Sequence, residues 1–248
     1  MKRLTESQRL KTKKLAKNGM SLNKICNRMN LSKSLAYYWF RKVKEKKTKD
    51  IVINDSLETE IGEIMGAFAG DGSFFKDERY SYRVRFYLSR KEYNYAKKLN
   101  DLLSSIYKTY GRIYLYESVC ILEVTRKRVI EHIREFLTWN GNRTLTIRLR
   151  KRPLEYSKNF LTGFCRGMVD TEGWICKNDL MISSISEGLI NDMSKSLEIL
   201  GISHMKTVWK AKERKNLRHA IFFNKKNTLD FASKIGFSNE RKCAPDEI

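Results

Sequence analysis

Histidine, proline and paired cysteines are scarce in this sequence. Only three His occur in 248 residues, at positions 132, 204 and 219, and their spacing suggests neither a triad nor a metal set. Five Cys stand at 26, 120, 165, 176 and 243, with no Cys-x-x-Cys pair. That pattern excludes a zinc ribbon and a secreted disulfide framework, and it points to a reducing compartment. Two Pro and 13 Gly argue against a disordered or collagen-like chain. No run approaches the apolar length that spans a bilayer, so no membrane partner is expected. The first residues are charged and lack an apolar stretch of leader length, so a cytoplasmic protein is expected.

Acidic residues are also short. There are 28 Asp+Glu against 50 Lys+Arg, a formal net charge of +22. The excess is concentrated: the first 50 residues hold 16 Lys+Arg and 3 Asp+Glu, about +13. A basic chain with plentiful aromatics is expected to bind a polyanion, and nucleic acid fits best. The 41% hydrophobic content is enough for real cores.

Residues 1–45 read as three short helices. Ser7–Asn18 forms one, with Gly19 placed to end it, and Ser21 and Ser32 are placed to cap the next two. Leu10, Ala16, Met20, Leu22, Ile25, Met29, Leu31, Leu35 and Trp39 would form a small core. The stretch SLNKICNRMNLSKSLAYYWFRKV resembles a helix-turn-helix of the small prokaryotic type, whose third helix enters the DNA major groove. Its implied contacts are Ser32, Lys33, Ser34, Tyr37, Tyr38 and Arg41. A basic three-helix module that reads no sequence is the alternative. Residues 46–56 read as a linker.

From residue 57 the chain says the same thing twice. Residues 57–150 and 151–248 each read as αββαββα, with strand alternation clearest where Tyr82, Val84, Phe86 and Leu88 interleave with Ser81, Arg83, Arg85, Tyr87 and Ser89. The first helix of each copy is unusual. Gly62, Gly66, Gly70, Asp71 and Gly72 recur 101 residues later as Gly163, Gly167, Thr171, Glu172 and Gly173. Small residues at four-residue steps let two helix backbones approach closely, and Gly62, Gly66, Gly163 and Gly167 are the expected interface. Such packing would bring Asp71 and Glu172 together at helix C-termini. The macrodipole disfavours negative charge there, so the pair asks for a cation. Hard divalent ions prefer such oxygen donors. Metal-assisted phosphodiester cleavage is then the natural chemistry.

The motifs MGAFAGDGS and CRGMVDTEG resemble the two signature helices of the LAGLIDADG homing endonucleases. The resemblance implies an α+β fold: two pseudo-symmetric αββαββα repeats forming a DNA-binding saddle, with the small all-α module in front. The family's metal-binding acids fall on Asp71 and Glu172, preceded by Gly70 and Thr171, and the implied ion is Mg²⁺ or Mn²⁺. The first motif departs from the pattern, with Ala69 where the second has Asp170. That earlier acid caps or packs in the family, so catalysis does not hang on it. Basic residues late in each repeat, Lys242 (with Arg241 second) and Arg143, would assist the reaction. By alternation the base-reading face holds Arg83, Arg85, Tyr87, Arg112, Tyr114, Tyr116, Glu123 and Thr125 in the first repeat. In the second it holds Lys206, Lys210, Lys212, Arg218 and Asn224. Trp139, Trp174 and Trp209 read as packing residues.

The implied protein is a monomeric endonuclease. It makes double-strand breaks in double-stranded DNA at a long asymmetric site, serves intron mobility, and needs no small-molecule substrate. A sequence without a flanking splicing domain points to an intron-encoded or free-standing enzyme. The alternative is a non-cleaving nucleic-acid binder on the same fold, either an RNA maturase or a transcription regulator.

Overall fold

A computed structural model describes residues 4–44, 51–78, 81–176, 178–210 and 216–242. Most of the expected linker's first half, Lys212 and Cys243 lie outside the described residues. The chain divides into two compact units. One contains the N-terminal helices, Phe74–Arg83 and Thr125–Lys127; the other contains Ile51–Ser73, Val84–Val124 and the chain from Arg128 onward.

The N-terminal helices are α1 (Glu6–Lys17), α2 (Leu22–Met29) and α3 (Lys33–Arg41). Thr5 opens α1 with a capping box: its Oγ1 accepts from Gln8 N, and its own N–H donates to Gln8 Oε1. Gly19 sits just past the helix at φ +84°, where a side chain would be strained. Ser21 caps α2 through its side chain. Ser32 stands at the start of α3 but makes no such cap; its hydroxyl pairs with that of Ser34, 3.1 Å away. The core is built on Ala16, Ile25, Cys26 and Ala36 with buried Thr12, whose hydroxyl bonds back to Gln8 O. Leu10, expected in this core, is 60% exposed. Two positions before Thr12, Leu10 falls on the side of α1 opposite to Thr12 and Ala16.

The αββαββα order then appears twice. First come α4 (Glu58–Asp71), β1 (Gly72–Lys76), β2 (Tyr82–Ser89), α5 (Tyr93–Tyr107), β3 (Arg112–Leu115), β4 (Val119–Val124) and α6 (Lys127–Phe136). A small bridge follows, with β5 (Leu137–Thr138) paired to β6 (Arg148–Leu149) around α7 (Arg143–Thr146). The second copy runs α8 (Lys158–Glu172), β7 (Gly173–Cys176), β8 (Asp179–Ser184), α9 (Glu187–Ile199), β9 (Met205–Trp209), β10 (Arg218–Phe223) and α10 (Lys225–Lys234). The antiparallel sheets have matching orders, β1-β2-β4-β3 and β7-β8-β10-β9.

Helices α4 and α8 pack on each other and are buried over most of their length, from Ile61 to Ala69 in α4. Each sheet turns one face inward: Val84, Phe86, Leu88, Cys120, Leu122 and Val124 in the first, and Leu180, Ile182, Ile221 and Phe223 in the second. The opposite faces are free to carry polar groups.

Candidate active site at the ends of two glycine-faced helices

The four glycines of α4 and α8 interlock reciprocally. A Cβ on Gly62 would collide with the Phe160 carbonyl and lie 2.8 Å from Phe164 N; on Gly66, with the Phe164 carbonyl and 2.8 Å from Met168 N. From the other side, a Cβ on Gly163 would strike the Thr59 carbonyl and one on Gly167 the Glu63 carbonyl. Every obstacle is backbone, which cannot rotate away. The helices therefore touch main chain to main chain.

That approach carries through to the helix ends. A Cβ on Gly70 would fall 2.9 Å from Thr171 Cβ and 3.0 Å from Glu172 Cγ. The last turns converge, and Asp71 and Glu172 follow them into one place. Gly72 and Gly173 open the first strands in extended conformation (φ −78° and −73°), not in the left-handed form common to glycine helix ends. They are glycines for space: a Cβ on Gly72 would press into Phe68, and one on Gly173 into the Val169 carbonyl.

The carboxylates are held against their electrostatic interest. Burial, then the neighbouring Glu172 and Glu92, push the Asp71 carboxyl up to about 7, although Lys242 and Arg143 oppose this. Burial also raises the Glu172 carboxyl, opposed by Arg218, Arg143 and Lys242. Two helix C-termini end beside them, and cations compensate at both. Arg143 lies just after its capping residue Asn142. It donates from Nη1 to the carbonyls of Phe68 (2.9 Å) and Ala69 (3.2 Å), and from Nη2 to Gly70 (3.5 Å). Lys242 donates its Nζ to the Gly173 carbonyl at the end of α8. Thr171 turns its hydroxyl to the Gly167 carbonyl, 2.8 Å away. Arg143 and Lys242, each named from the end of its own repeat, both act on the two acids.

Sequence reasoning missed part of this assembly. Arg218, expected only as a base reader, is the foremost cation acting on Glu172. Asp170 is fully buried and accepts from Ser238 N (2.9 Å) and Asn239 N (3.1 Å); Asn239 Nδ2 donates to the Asp170 carbonyl and to Glu92 Oε1. Lys242 N in turn donates to Asn239 O, 2.8 Å away. Asp170 therefore anchors the segment that delivers Lys242. Glu63 on α4 pairs with Arg166 on α8 at 3.2 Å, a cross-helix ion pair beside the glycine contacts. No local signal marks Asn239 or Arg218, since only the fold brings them here.

The donor set is entirely hard oxygen. Two carboxylates and the carbonyl-rich helix ends suit Mg²⁺ or Mn²⁺ better than a soft metal. Among the described residues no group of three or more His, Cys, Asp or Glu could hold a metal ion. A cation here would draw its remaining ligands from backbone, phosphate and water.

The expected DNA-facing residues divide. In the first sheet, Arg85 stands opposite Glu123, and Glu123 opposite Arg112, in one cross-strand row; Tyr87, Ile121 and Tyr114 form the next. Arg85 Nε is bound to Glu123 Oε2 at 2.6 Å. Tyr116 is exposed beyond β3, and Arg83 lies over the Phe75 ring at 5.9 Å. In the second sheet the register overturns one expectation. Lys206 stands opposite the buried Ile221, on the helix-packed side, and its Nζ lies 3.4 Å from Asn191 Oδ1 of α9. Arg218, opposite Trp209, is on the other face. Lys210 is exposed just past β9. Asn224 is the cap of α10, accepting from Asn227 N, and is not a reader. Trp174, expected in packing, is 58% exposed.

In the N-terminal unit Lys33, Ser34 and Tyr37 are exposed. Arg41 is not: it is 7% exposed and donates to the Lys44 carbonyl at 2.5 Å, so it cannot serve as a base contact. Two of the histidines hold the fold together, His132 bonded to the Tyr107 hydroxyl and His204 to Ser194. No helix among the described residues is long and apolar enough to cross a membrane.

Residues 159–236 match the family model for a LAGLIDADG-like domain. The fold resembles mesophilic variants of the homing endonuclease I-DmoI, with a TM-score of 0.54, 17% identity and coverage of 73% of this chain and 96% of that one. It also resembles I-DmoI in complex with DNA and Mn, with a TM-score of 0.55, 15% identity and coverage of 73% and 97%. Full-length DUF199/WhiA from Thermatoga maritima matches with a TM-score of 0.50 and 14% identity, over 74% of this chain and 57% of that one. The Replication factor C small subunit of Methanocaldococcus jannaschii is 25% identical over 217 residues, which is 81% of this chain but 11% of that protein's length.

Proposed function

We propose that this chain, which carries the LAGLIDADG fold with a LAGLIDADG-like domain over residues 159–236, is a site-specific DNA endonuclease acting as a monomer. The observation that carries the reading is the Asp71–Glu172 pair. Burial raises both groups, the neighbouring Glu172 raises Asp71 further, and interlocked glycines hold the two together, an arrangement that costs stability unless it serves a cation. I-DmoI has been crystallised with its target DNA in the presence of Mg and of Mn, which supports a divalent ion here.

Asp71 and Glu172, with the Gly70 and Thr171 backbone, would hold the ion. Bound there, it supplies a Lewis acid for the scissile phosphate and makes water a better nucleophile at neutral pH. Lys242 and Arg143 place fixed positive charge beside the pair and favour a phosphate that gains negative charge as it is attacked. Arg218 favours the ionised form of Glu172 against the effect of burial. Both acids come from one chain, so no second copy is needed to complete the site. The outer sheet faces read the major groove, with Arg83, Arg85, Arg112, Tyr87, Tyr114 and Tyr116 in the first repeat and Arg218 in the second. Residues 1–45 act as a helix-turn-helix that adds contacts through Lys33, Ser34 and Tyr37, joined by a linker over 46–56 to repeats 57–150 and 151–248. Breaks of this kind would spread the element that encodes the enzyme.

The test is digestion of diverse genomic DNA with Mg²⁺ at low salt, followed by sequencing of new ends, with Glu172→Gln in parallel. A recurrent cut sequence absent from the variant supports the endonuclease. Binding without cutting in the wild type would instead make the chain a non-cleaving binder, to be tried next on RNA.

A further inference from the structure

The outer faces of the two sheets carry different chemistry. The first is crossed by the charged row Arg85–Glu123–Arg112 and by the row Tyr87–Ile121–Tyr114, whose flanking hydroxyls can hydrogen-bond. The second is crossed by an apolar row spanning all four strands: Trp174 stands opposite Met181, Met181 opposite Phe222, and Phe222 opposite Met205. Trp174 is 58% and Met205 60% exposed. The row is not overflow from the core, because the other face of the same strands already buries Leu180, Ile182, Ile221 and Phe223. A contiguous apolar stripe of this kind, exposed at both ends and half-buried at Met181 and Phe222, marks a binding surface.

Its position argues for what it binds. β7 starts at Gly173, directly after Glu172, so Trp174 lies two residues from the carboxylate pair. Arg218, on the same face, acts on Glu172. A duplex whose phosphate reaches Asp71 and Glu172 therefore meets this row. Met and Phe side chains offer no strong hydrogen bond, so they cannot read base edges by donor and acceptor pattern. The one apolar feature of the major groove is the thymine C5-methyl.

We infer that the Trp174–Met181–Phe222–Met205 row reads thymine methyl groups, so that the half-site under the second repeat carries thymines at those steps. The inference rests on the DNA-binding reading above. It assigns the second sheet its recognition chemistry: methyl contact there, charged and hydrogen-bonded contact in the first.

The experiment begins with selection of a duplex from a randomised library by the full chain in Ca²⁺. The selected duplex is then remade with deoxyuridine for thymidine in each half separately, which removes methyls and leaves base pairing and hydrogen-bonding edges intact. Affinity should fall in one half only, by about fourfold for each contacted methyl. Met205→Ala and Trp174→Ala, both at exposed positions, should bind the two forms of that half alike. Equal binding of the thymidine and deoxyuridine duplexes by wild-type protein overturns the methyl reading and leaves DNA binding standing. Failure to select any duplex overturns both.

Discussion

Replacing Asp71 by Asn in metal-free protein should change how stability depends on pH. The carboxyl is raised from 3.8 to about 7 in the folded chain. The folded state therefore holds this proton more tightly than the unfolded state does. Below about pH 4 both states are protonated and the group costs nothing. As pH rises from about 4 to about 7 the unfolded chain ionises first, and native stability falls; above about 7 the loss is complete. Its upper limit is roughly 4 kcal/mol, since each pH unit of displacement corresponds to about 1.4 kcal/mol. Asn keeps the shape, carries no charge and removes this dependence.

Urea unfolding in EDTA, for wild type and Asp71→Asn at about pH 5 and about pH 8, isolates the effect as a difference of differences. Because part of the loss is already present at about pH 5, the variant should gain on the wild type by at most about 2–3 kcal/mol between the two conditions. Mg²⁺ at the higher pH should restore the wild type and leave the variant unmoved. A constant difference at both pH values would mean that Asp71 is not held in a cation-demanding place.

Other perturbations separate the framework from the chemistry. Gly163→Ala drives a methyl into the Thr59 carbonyl and to 2.8 Å from Glu63 N. It should cost about 2–3 kcal/mol in urea unfolding despite the better helix propensity of Ala. Asp170→Asn turns an amide donor toward the Ser238 or Asn239 N–H. It should lose about 1–3 kcal/mol and slow cleavage by loosening the Lys242 segment, while gel-shift affinity for DNA stays near wild type. Lys242→Met should lower the single-turnover cleavage rate by about a hundredfold, with binding changed only by one lost phosphate contact.

The parts of the molecule legible in sequence were those written in local periods. Glycine at four-residue steps is costly in a helix, so two such helices imply each other, and the interlocked α4 and α8 answer why the chain tolerates them. Alternation fixed the faces of β2 and β4, whose inward residues are buried from Val84 onward, with Tyr82 at the start of β2 half-buried. Local periods fail where tertiary pairing decides. In β9 nothing distinguishes Lys206 from a reader; only its register against Ile221 turns it to the helix side. Arg41 reads as one more cation of a basic helix, yet the Lys44 carbonyl draws it inward. The two-residue strands β5 and β6 have no periodicity to detect. Arg218 and Asn239 reach the site across dozens of residues, so their roles exist only in the folded chain.

The central claim is that Asp71 and Glu172 together make this chain cut DNA. The most direct measurement is single-turnover cleavage of the selected duplex by wild type, Asp71→Asn and Glu172→Gln in Mg²⁺, with affinity measured for all three in Ca²⁺. The account predicts that the wild type cuts, that each variant is slower by about a hundredfold or more, and that all three bind within a few-fold of one another. Three proteins that bind alike and cut alike, or that bind alike and do not cut at all, would contradict it.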